Sequence, residues 1–201
     1  MDAEIKTYES RKVAIWHEND RTRTTLCSAI RSLNHQVGYE GTEGSELIER
    51  VVADPEIDLI LCGLKLGKKD GVHCLLEIAK HRPVPAIIAT HQNSLKEVEK
   101  ALEDHVMAYL VEPVSVAELR PTIHLVLKRF DEFQNLKDEI VTLKEQFEAR
   151  KTIERAKGVI MRRKDVNEES AYAQLRKFAM DSRIKLIDAA QKVLQLESAR
   201  A

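Results

Sequence analysis

Short apolar runs alternate with stretches of helical periodicity over the first 115 residues, and this alternation constrains the fold more than any other feature. A continuous apolar run between turns is typical of a strand that is buried on both faces. The runs predict five strands, at Val13–Trp16, Gln36–Tyr39, Leu59–Cys62, Ala86–Ala89 and Met107–Val111. Strands separated by helices indicate an α/β fold, with a doubly wound, five-stranded parallel sheet covered on both faces.

Four amphipathic helices are predicted between these strands, at Thr22–Leu33, Ser45–Val52, Gly71–Lys80 and Leu95–Asp104. Their apolar residues recur every three or four positions, which places them on one face of each helix. In a sheet of this kind the ligand crevice lies at the carboxyl ends of the strands. Functional side chains are therefore expected directly after the strands.

From Val116 the pattern becomes helical, without a clear break, until about Lys164. Neither glycine nor proline occurs between Thr122 and Lys157, and apolar residues follow one another in steps of three and four. A heptad repeat of this kind is typical of a coiled coil. We predict a parallel homodimer through Val126, Phe130, Phe133, Leu136, Ile140, Leu143 and Phe147. A single amphipathic helix lying on a neighbouring element would show a similar stripe.

Charge is distributed unevenly along the chain. Residues 150–201 hold 13 Lys and Arg against 7 Asp and Glu, a net charge of +6, whereas residues 1–149 hold 19 and 26, a net charge of −7. A basic tail on an acidic chain is the pattern expected of a nucleic-acid-binding segment. A solvated helix face can have the same composition, and attraction to phosphate carries no sequence preference.

Composition excludes several other classes of protein. Aromatic residues make up 4% of the chain, which argues against a sheet that stacks RNA bases. Three cysteines fit neither a disulfide framework nor a zinc spacing, and we interpret them as packing residues. No apolar run approaches the length of a membrane span, and the N-terminus has no apolar signal region, so we expect a cytoplasmic protein. No nucleophile–base pair or phosphate loop is visible, and neither an enzyme nor a cofactor is predicted.

The basic segment contains three ordered sequence blocks. Glu-Arg-Ala-Lys-Gly-Val-Ile-Met at 154–161 is followed by Ala171-Tyr172 and then by Leu175-Arg176. This order resembles the ANTAR domain, a three-helix module of bacterial transcription antitermination regulators. The resemblance implies binding of paired stem-loops in nascent transcripts, with contacts expected from Lys151, Arg155, Lys157, Arg162, Arg163, Tyr172, Arg176 and Arg183. Tyr172 would stack on an unpaired base or lie half-buried in its helix, and Gly158 would permit close approach of the helices.

The first domain resembles the receiver domain of response regulators, most closely over Asp58–Gly71. Receivers accept a phosphoryl group on an aspartate seven positions before the Asp-Gly pair, and that position is Gly63 here. The acidic pair after the first strand reads His17-Glu18, and the lysine before Pro113 is Glu112. Thr90 and Tyr109 keep the hydroxyl residue and the aromatic residue that receivers have at these two positions. The resemblance therefore implies a pseudo-receiver that is not phosphorylated and is controlled by a regulatory protein partner or by dimerisation.

Two histidines and two carboxylates are expected together at the carboxyl edge of the sheet: His17, Glu18, His91 and Glu112. These side chains are of the types that bind zinc, but their spacing does not require it, and we predict no metal. We also predict no metal at His73 and Cys74, which lie at the start of a helix.

Taken together, the patterns and resemblances predict a pseudo-receiver over residues 10–120, a coiled-coil helix over 121–149 and an ANTAR module over 150–198. The expected function is antitermination by binding RNA stem-loops. A dimeric DNA-binding or protein-interaction scaffold without RNA function is the alternative, and binding to a two-hairpin RNA against duplex DNA distinguishes the two.

Overall fold

The computed structural model describes residues 10–91 and 106–198. It divides into two compact units, Met1–Phe133 and Gln134–Ala201. No helix within the described ranges is both long and apolar enough to cross a membrane.

The first unit is built on a five-stranded, entirely parallel sheet. Its strands are β1 (Lys12–Trp16), β2 (Gln36–Gly41), β3 (Leu59–Gly63), β6 (Ala86–Thr90) and β7 (Val106–Val111). Across the sheet they lie in the order β2-β1-β3-β6-β7. Every residue of β3 and β6 is buried, as the continuous apolar runs predicted. The predicted fold class is confirmed.

Helices cover both faces of this sheet: α1 (Asp20–Ser32), α2 (Gly44–Ala53) and α3 (Gly71–His81). Side chains of Asn19 and Asp70 cap α1 and α3 by accepting hydrogen bonds from backbone amides. One core lies under α2 and α3, and the other contains residues of α1. The predicted helix Leu95–Asp104 lies outside the described residues.

A small antiparallel ribbon follows β3 and was not predicted. It consists of β4 (Lys65–Leu66) and β5 (Lys69–Asp70). The turn between them holds Gly67 at a φ of 63°, a conformation that favours glycine. Strands of two residues are too short to show an alternating pattern, so periodicity could not indicate this ribbon.

The long helix α4 spans Val116–Lys164, in agreement with the predicted uninterrupted helix. Leu119, Ile123 and Val126 at its start belong to the core of the first unit. Val126 is 1% exposed, so its assignment to the dimer seam is wrong. A heptad stripe does not reveal whether a helix packs on its own domain or on a partner, and Val126 packs on its own domain.

The second unit packs α4 residues against two shorter helices, α5 (Glu168–Asp181) and α6 (Leu186–Ser198). Asn167 caps α5 by accepting a hydrogen bond of 2.9 Å from the backbone N–H of Ser170. The core consists mainly of small residues and leucine or isoleucine: Ala156, Ile160, Ala171, Leu175, Ala179, Ala189 and Ala190. Phe178 of α5 is not part of this core and is 39% exposed.

Candidate functional site: a receiver-like edge and a basic helical face

The carboxyl edge of the sheet holds a buried pair, His17 and Glu112. His17 follows β1, and its Nδ1 accepts a hydrogen bond of 3.0 Å from the backbone N–H of Asn19. Since Nδ1 accepts, the hydrogen of the neutral ring lies on Nε2, which donates to Glu112 Oε1 over 3.1 Å. The hydroxyl of Thr22 donates to the other carboxylate oxygen, also over 3.1 Å. Glu112 therefore has a hydrogen-bond donor on each oxygen, as a buried carboxylate requires.

Gly63, at the end of β3, lies directly beside the imidazole of His17. A Cβ atom at this position would be 2.8 Å from His17 Cδ2 and 3.1 Å from His17 Nε2. The backbone of Gly71 approaches from the other direction, since a Cβ there would lie 2.2 Å from the carbonyl oxygen of Gly63. The imidazole thus occupies the space into which a side chain at position 63 would extend.

The other residues predicted at this edge do not take part in the hydrogen bonds between His17, Thr22 and Glu112. Glu18 is exposed, and Tyr109 is 41% exposed. Thr90 is buried, and its hydroxyl lies 3.4 Å from the carbonyl oxygen of His91. His91 Nε2 is 3.9 Å from Glu112 Oε2. Within the described part of the chain, no three His, Cys, Asp or Glu side chains are arranged to hold a metal ion.

Thr22 also belongs to this edge, and no sequence pattern indicated it. It lies in the first turn of α1, where the side chain of Asn19 accepts a hydrogen bond from its backbone amide. A threonine at the start of a helix is common, and only the buried position of Glu112 shows that this hydroxyl has a specific partner.

Burial keeps the three cysteines protonated. It raises the pKa of Cys62 and of Cys74, and it raises the pKa of Cys27 to about 12 together with a hydrogen bond to Glu40. All three are free and buried, which is consistent with packing roles.

In the second unit Lys157 is buried, in contrast to its predicted role as an RNA contact. It is 7% exposed, and its Nζ donates to Glu168 over 2.6 Å and to Glu154 over 2.9 Å. The hydrogen bond to Glu168, and then that to Glu154, raises the pKa of Lys157. The same ammonium lies 5.9 Å from the centre of the Tyr172 ring. The predicted role of Lys157 is therefore wrong, because its side chain connects α4 to α5 inside the module and is not a free surface cation.

One face of α5 presents residues of different chemistry to solvent. Tyr172, Arg176 and Met180 are spaced four residues apart, which places them along one side of the helix. Tyr172 is 42% exposed and Met180 is 67% exposed. Together with Lys177 they line a shallow cleft of about 380 Å³. Glu169 and Asp181 line the same cleft, so the face combines an aromatic ring, a flexible apolar chain, two cations and two carboxylates.

A second cationic face runs along α4, where Lys151, Arg155 and Arg162 are exposed. Arg163 differs from them because it forms an ion pair with Glu197 of α6. Arg183 lies in the turn between α5 and α6, at a φ of 53°. Gly158 was expected to allow close helix packing, and this is wrong: apart from the backbone of its own helix, the only described atom within 4 Å of a Cβ there would be Arg162 Nη1 of the same helix, at 3.8 Å.

The sequence matches two protein-family models, the response regulator receiver domain over residues 13–124 and the ANTAR domain over residues 142–194. Transcriptional regulatory protein PdtaR of Mycobacterium tuberculosis is 32% identical over 185 residues, which cover 92% of this chain and 90% of that protein. Transcriptional regulatory protein ZraR of Escherichia coli is 28% identical over 105 residues, which cover 50% of this chain and 24% of that protein.

Solved structures also resemble the first part of the chain. A response regulator receiver domain protein from Clostridium thermocellum aligns with a TM-score of 0.56 at 19% identity and covers 61% of this chain and 98% of that one. A CheY-like receiver domain protein from Methanospirillum hungatei gives a TM-score of 0.56, also at 19% identity, over 62% of this chain and 98% of that one. Similarity at this level of identity shows the fold alone.

Proposed function

Because the chain belongs to the response regulators that join a receiver domain to an ANTAR domain, we propose that it regulates transcription by binding RNA. The expected target is a pair of stem-loops in a nascent transcript, and the expected effect is antitermination. The observation that carries this proposal is the exposed face of α5, on which Tyr172 and Arg176 lie together in the basic part of the chain.

The chemistry of this face suits a hairpin loop. The planar guanidinium of Arg176 can bond to phosphate or to the edge of a guanine with two parallel hydrogen bonds. The exposed ring of Tyr172 can stack on an unpaired base, and the ammonium of Lys157 lies 5.9 Å from the centre of this ring. Base edges are most accessible in single-stranded loops, so this combination favours loops over a regular duplex.

We further propose that the receiver-like domain is not phosphorylated. Gly63 offers no carboxylate as an acceptor, and the imidazole of His17 fills the adjacent space. The carboxylate of Glu112 would repel a phosphoryl group at this edge. Activity is then set by a regulatory protein that binds the pseudo-receiver, or by dimerisation.

Dimerisation is proposed through the seam, defined as five exposed apolar residues of α4 at heptad spacing: Phe133, Leu136, Ile140, Leu143 and Phe147. Phe130, which was also predicted in the seam, is half-buried in the single chain. These side chains are 47–66% exposed in the single chain and are spaced three or four residues apart. Exposed apolar residues at heptad spacing are stabilised when a second copy of the helix buries them. A parallel homodimer would also present two ANTAR modules to two stem-loops.

Equilibrium binding tests the proposed function. The full chain is titrated against a two-hairpin RNA and against duplex DNA of equal charge at the same salt concentration. We expect a clear preference for RNA, and we expect Arg176→Ala to weaken it by about 1–3 kcal/mol and to change the preference among loop sequences. Lys192→Ala on α6 is the control, since it removes an exposed cation outside the α5 face. Equal affinity for both nucleic acids would leave the DNA-binding or protein-interaction scaffold as the remaining interpretation.

A further inference from the structure

The buried carboxylate of Glu112 carries a negative charge that no lysine or arginine of the described chain balances. Its side chain is 7% exposed, and its two oxygens accept hydrogen bonds from His17 and Thr22. Both donors are neutral, because Nδ1 of His17 itself accepts a hydrogen bond and a hydroxyl has no charge. His91 lies 3.9 Å away, beyond hydrogen-bond distance, and its side chain is 80% exposed. Since buried carboxylates are ordinarily paired, Glu112 leaves a charge that a bound cation can balance.

Glu112 lines a cleft that is large enough for a small organic molecule. The cleft has a volume of about 480 Å³ and lies between the first turns of α1 and the residues that follow β7. This volume is within the usual range of small-molecule sites. Its polar lining includes Glu112, Thr22 and Thr25, and its apolar lining includes Leu26, Pro113 and Val114.

The two threonine hydroxyls in this cleft can only accept a hydrogen bond from a ligand. Thr22 donates its hydrogen to Glu112, and Thr25 donates to the backbone carbonyl of Arg21 over 2.9 Å. A hydroxyl has a single hydrogen to donate, so the remaining lone pairs of both oxygens are acceptors. One carboxylate and two acceptor hydroxyls suit a group with several N–H donors and a positive charge, and a primary ammonium has three such donors.

The rest of the lining favours an organic ammonium over a metal ion. Leu26 is 1% exposed and Val114 is 9% exposed, so these walls can cover a hydrocarbon chain. A hard divalent cation requires several oxygen ligands, whereas Glu112 is the one carboxylate among the described residues of this cleft. Arg21 and His91 also line the cleft, but both are exposed, and water and salt screen their charges.

We propose that the amine cleft, defined as Thr22, Thr25, Leu26, Glu112 and Val114, binds a small primary amine in its ammonium form. The ammonium bonds the carboxylate of Glu112 and the two threonine oxygens, and the carbon chain of the ligand lies against Leu26 and Val114. The site goes beyond the proposed RNA binding and does not depend on it, because all five residues belong to the first unit. A bound amine would give this unit a chemical input that needs no phosphoryl group.

Titration of n-butylammonium into the full chain, followed by the backbone amide signals in nuclear magnetic resonance, tests the site. We expect saturable binding in the millimolar range, as is usual for a ligand of so few atoms. The shifted signals should be those of the first turns of α1 and of the residues directly after β7. Two molecules with the same carbon chain, n-butanol and butyrate, should not bind in that range, because neither supplies a positive charge.

Two substitutions with matched controls identify the groups that hold the ammonium. Glu112→Gln should weaken binding by at least about tenfold, because it removes the charge and keeps the size of the side chain. Glu18→Gln, which removes an exposed carboxylate at the same edge, should leave binding unchanged. Thr25→Val should weaken binding by about fivefold. Thr25 is exposed, so this variant tests the site even if Glu112→Gln unfolds, and Thr24→Val on the same helix is its control.

Saturable binding of the amine that depends on Glu112 and Thr25 supports the site. Equal binding of n-butanol, or unchanged affinity in both variants, would overturn it. Shifts spread over the acidic surface without saturation would show non-specific attraction and also overturn it, as would a divalent metal ion that binds at Glu112 and excludes the amine. RNA binding is measured separately, so failure of the amine cleft leaves the proposed function standing, and loss of RNA binding leaves the cleft standing.

Discussion

At the scale of single residues, Lys157 and Arg176 carry the same charge on the C-terminal module but have different surroundings. Lys157 is buried between Glu154 and Glu168, and it joins α4 to α5. Arg176 is exposed on α5, where a partner can reach it. The family resemblance indicated both as RNA contacts, because a sequence motif shows which residues recur and not which of them are buried. Burial decides between the two roles.

The pairing of Lys157 with Glu168 predicts that the module is sensitive to acid. The hydrogen bond from Lys157 lowers the pKa of Glu168 below its ordinary value. A carboxyl whose pKa is lowered by folding stabilises the folded state above its unfolded pKa, and this contribution is lost as the pH falls through the folded pKa. The pKa of Lys157 is raised, so at alkaline pH the contribution of the pair is lost as the pH rises through the folded pKa of Lys157.

Thermal melts at several pH values test this pair. Because the Glu168 side chain is largely exposed, solvent screens the interaction, and we expect Glu168→Gln to lower the melting temperature at pH 7 by only a few degrees. The difference from wild type should be smaller at the lowest pH at which the chain is still folded, because the carboxyl becomes protonated as the pH falls through its lowered folded-state pKa. Glu169→Gln is the control, since no described cation pairs with Glu169. An equal effect of Glu168→Gln at both pH values would contradict the assignment.

Gly63 and His17 predict the response of the receiver-like domain to phosphodonors. Incubation with acetyl phosphate and Mg²⁺ should give no adduct of about 80 Da in an intact-mass measurement, because no acceptor is present at position 63. Gly63→Asp alone should also fail, and it should destabilise the fold by about 1–3 kcal/mol, because its side chain overlaps the imidazole of His17.

A double-mutant comparison shows whether the imidazole of His17 causes the loss of stability in Gly63→Asp. In the His17→Ala background the imidazole is removed, so Gly63→Asp should be markedly less destabilising in chemical denaturation. The same loss of stability in the wild-type and His17→Ala backgrounds would mean that the imidazole does not occupy the space beside position 63. A stoichiometric adduct on the wild-type chain would contradict the proposal that phosphorylation has been lost.

At the scale of elements, the sequence predicted those helices and strands that carry a clear periodicity. Buried strands such as β3 and the long helix α4 are examples. The β4–β5 ribbon was missed because its strands have two residues each. Val126 was placed in the dimer seam because a heptad pattern continues through it, although the helix packs on its own sheet there. Gly158 was interpreted as a packing glycine because its neighbours in space cannot be read from its neighbours in sequence.

The seam of α4 predicts a homodimer that depends on its central residues. Ile140→Asp combined with Leu143→Asp should give monomers in light scattering, since burial of each side chain contributes about 1.5–3 kcal/mol and a charge in the seam opposes association. Val126→Ala is the matched control. It should lower the melting temperature by opening a cavity in the first unit, and it should leave the mass unchanged. A wild-type chain that is monomeric at tens of micromolar would show that the coiled-coil interpretation is wrong.

At the scale of the whole molecule, the chain combines an acidic receiver-like domain with a basic helical module, and the two charges nearly cancel. A composition averaged over the chain hides this polarity, whereas a division at about residue 150 reveals it. The family resemblance supplied RNA as the expected partner, since charge alone indicates only a polyanion. The structure adds the α5 face as a candidate contact, because it shows that Arg176 is exposed there whereas Lys157 is buried.

Single-round transcription with purified RNA polymerase is the most direct test of the central claim. The template carries two hairpins upstream of a terminator, and neither a kinase nor a phosphodonor is present. We predict that the full chain increases read-through, that Arg176→Ala loses most of this effect, and that Lys192→Ala retains it. Termination that is unchanged by the full chain, at concentrations that saturate binding to the same RNA, would contradict the account.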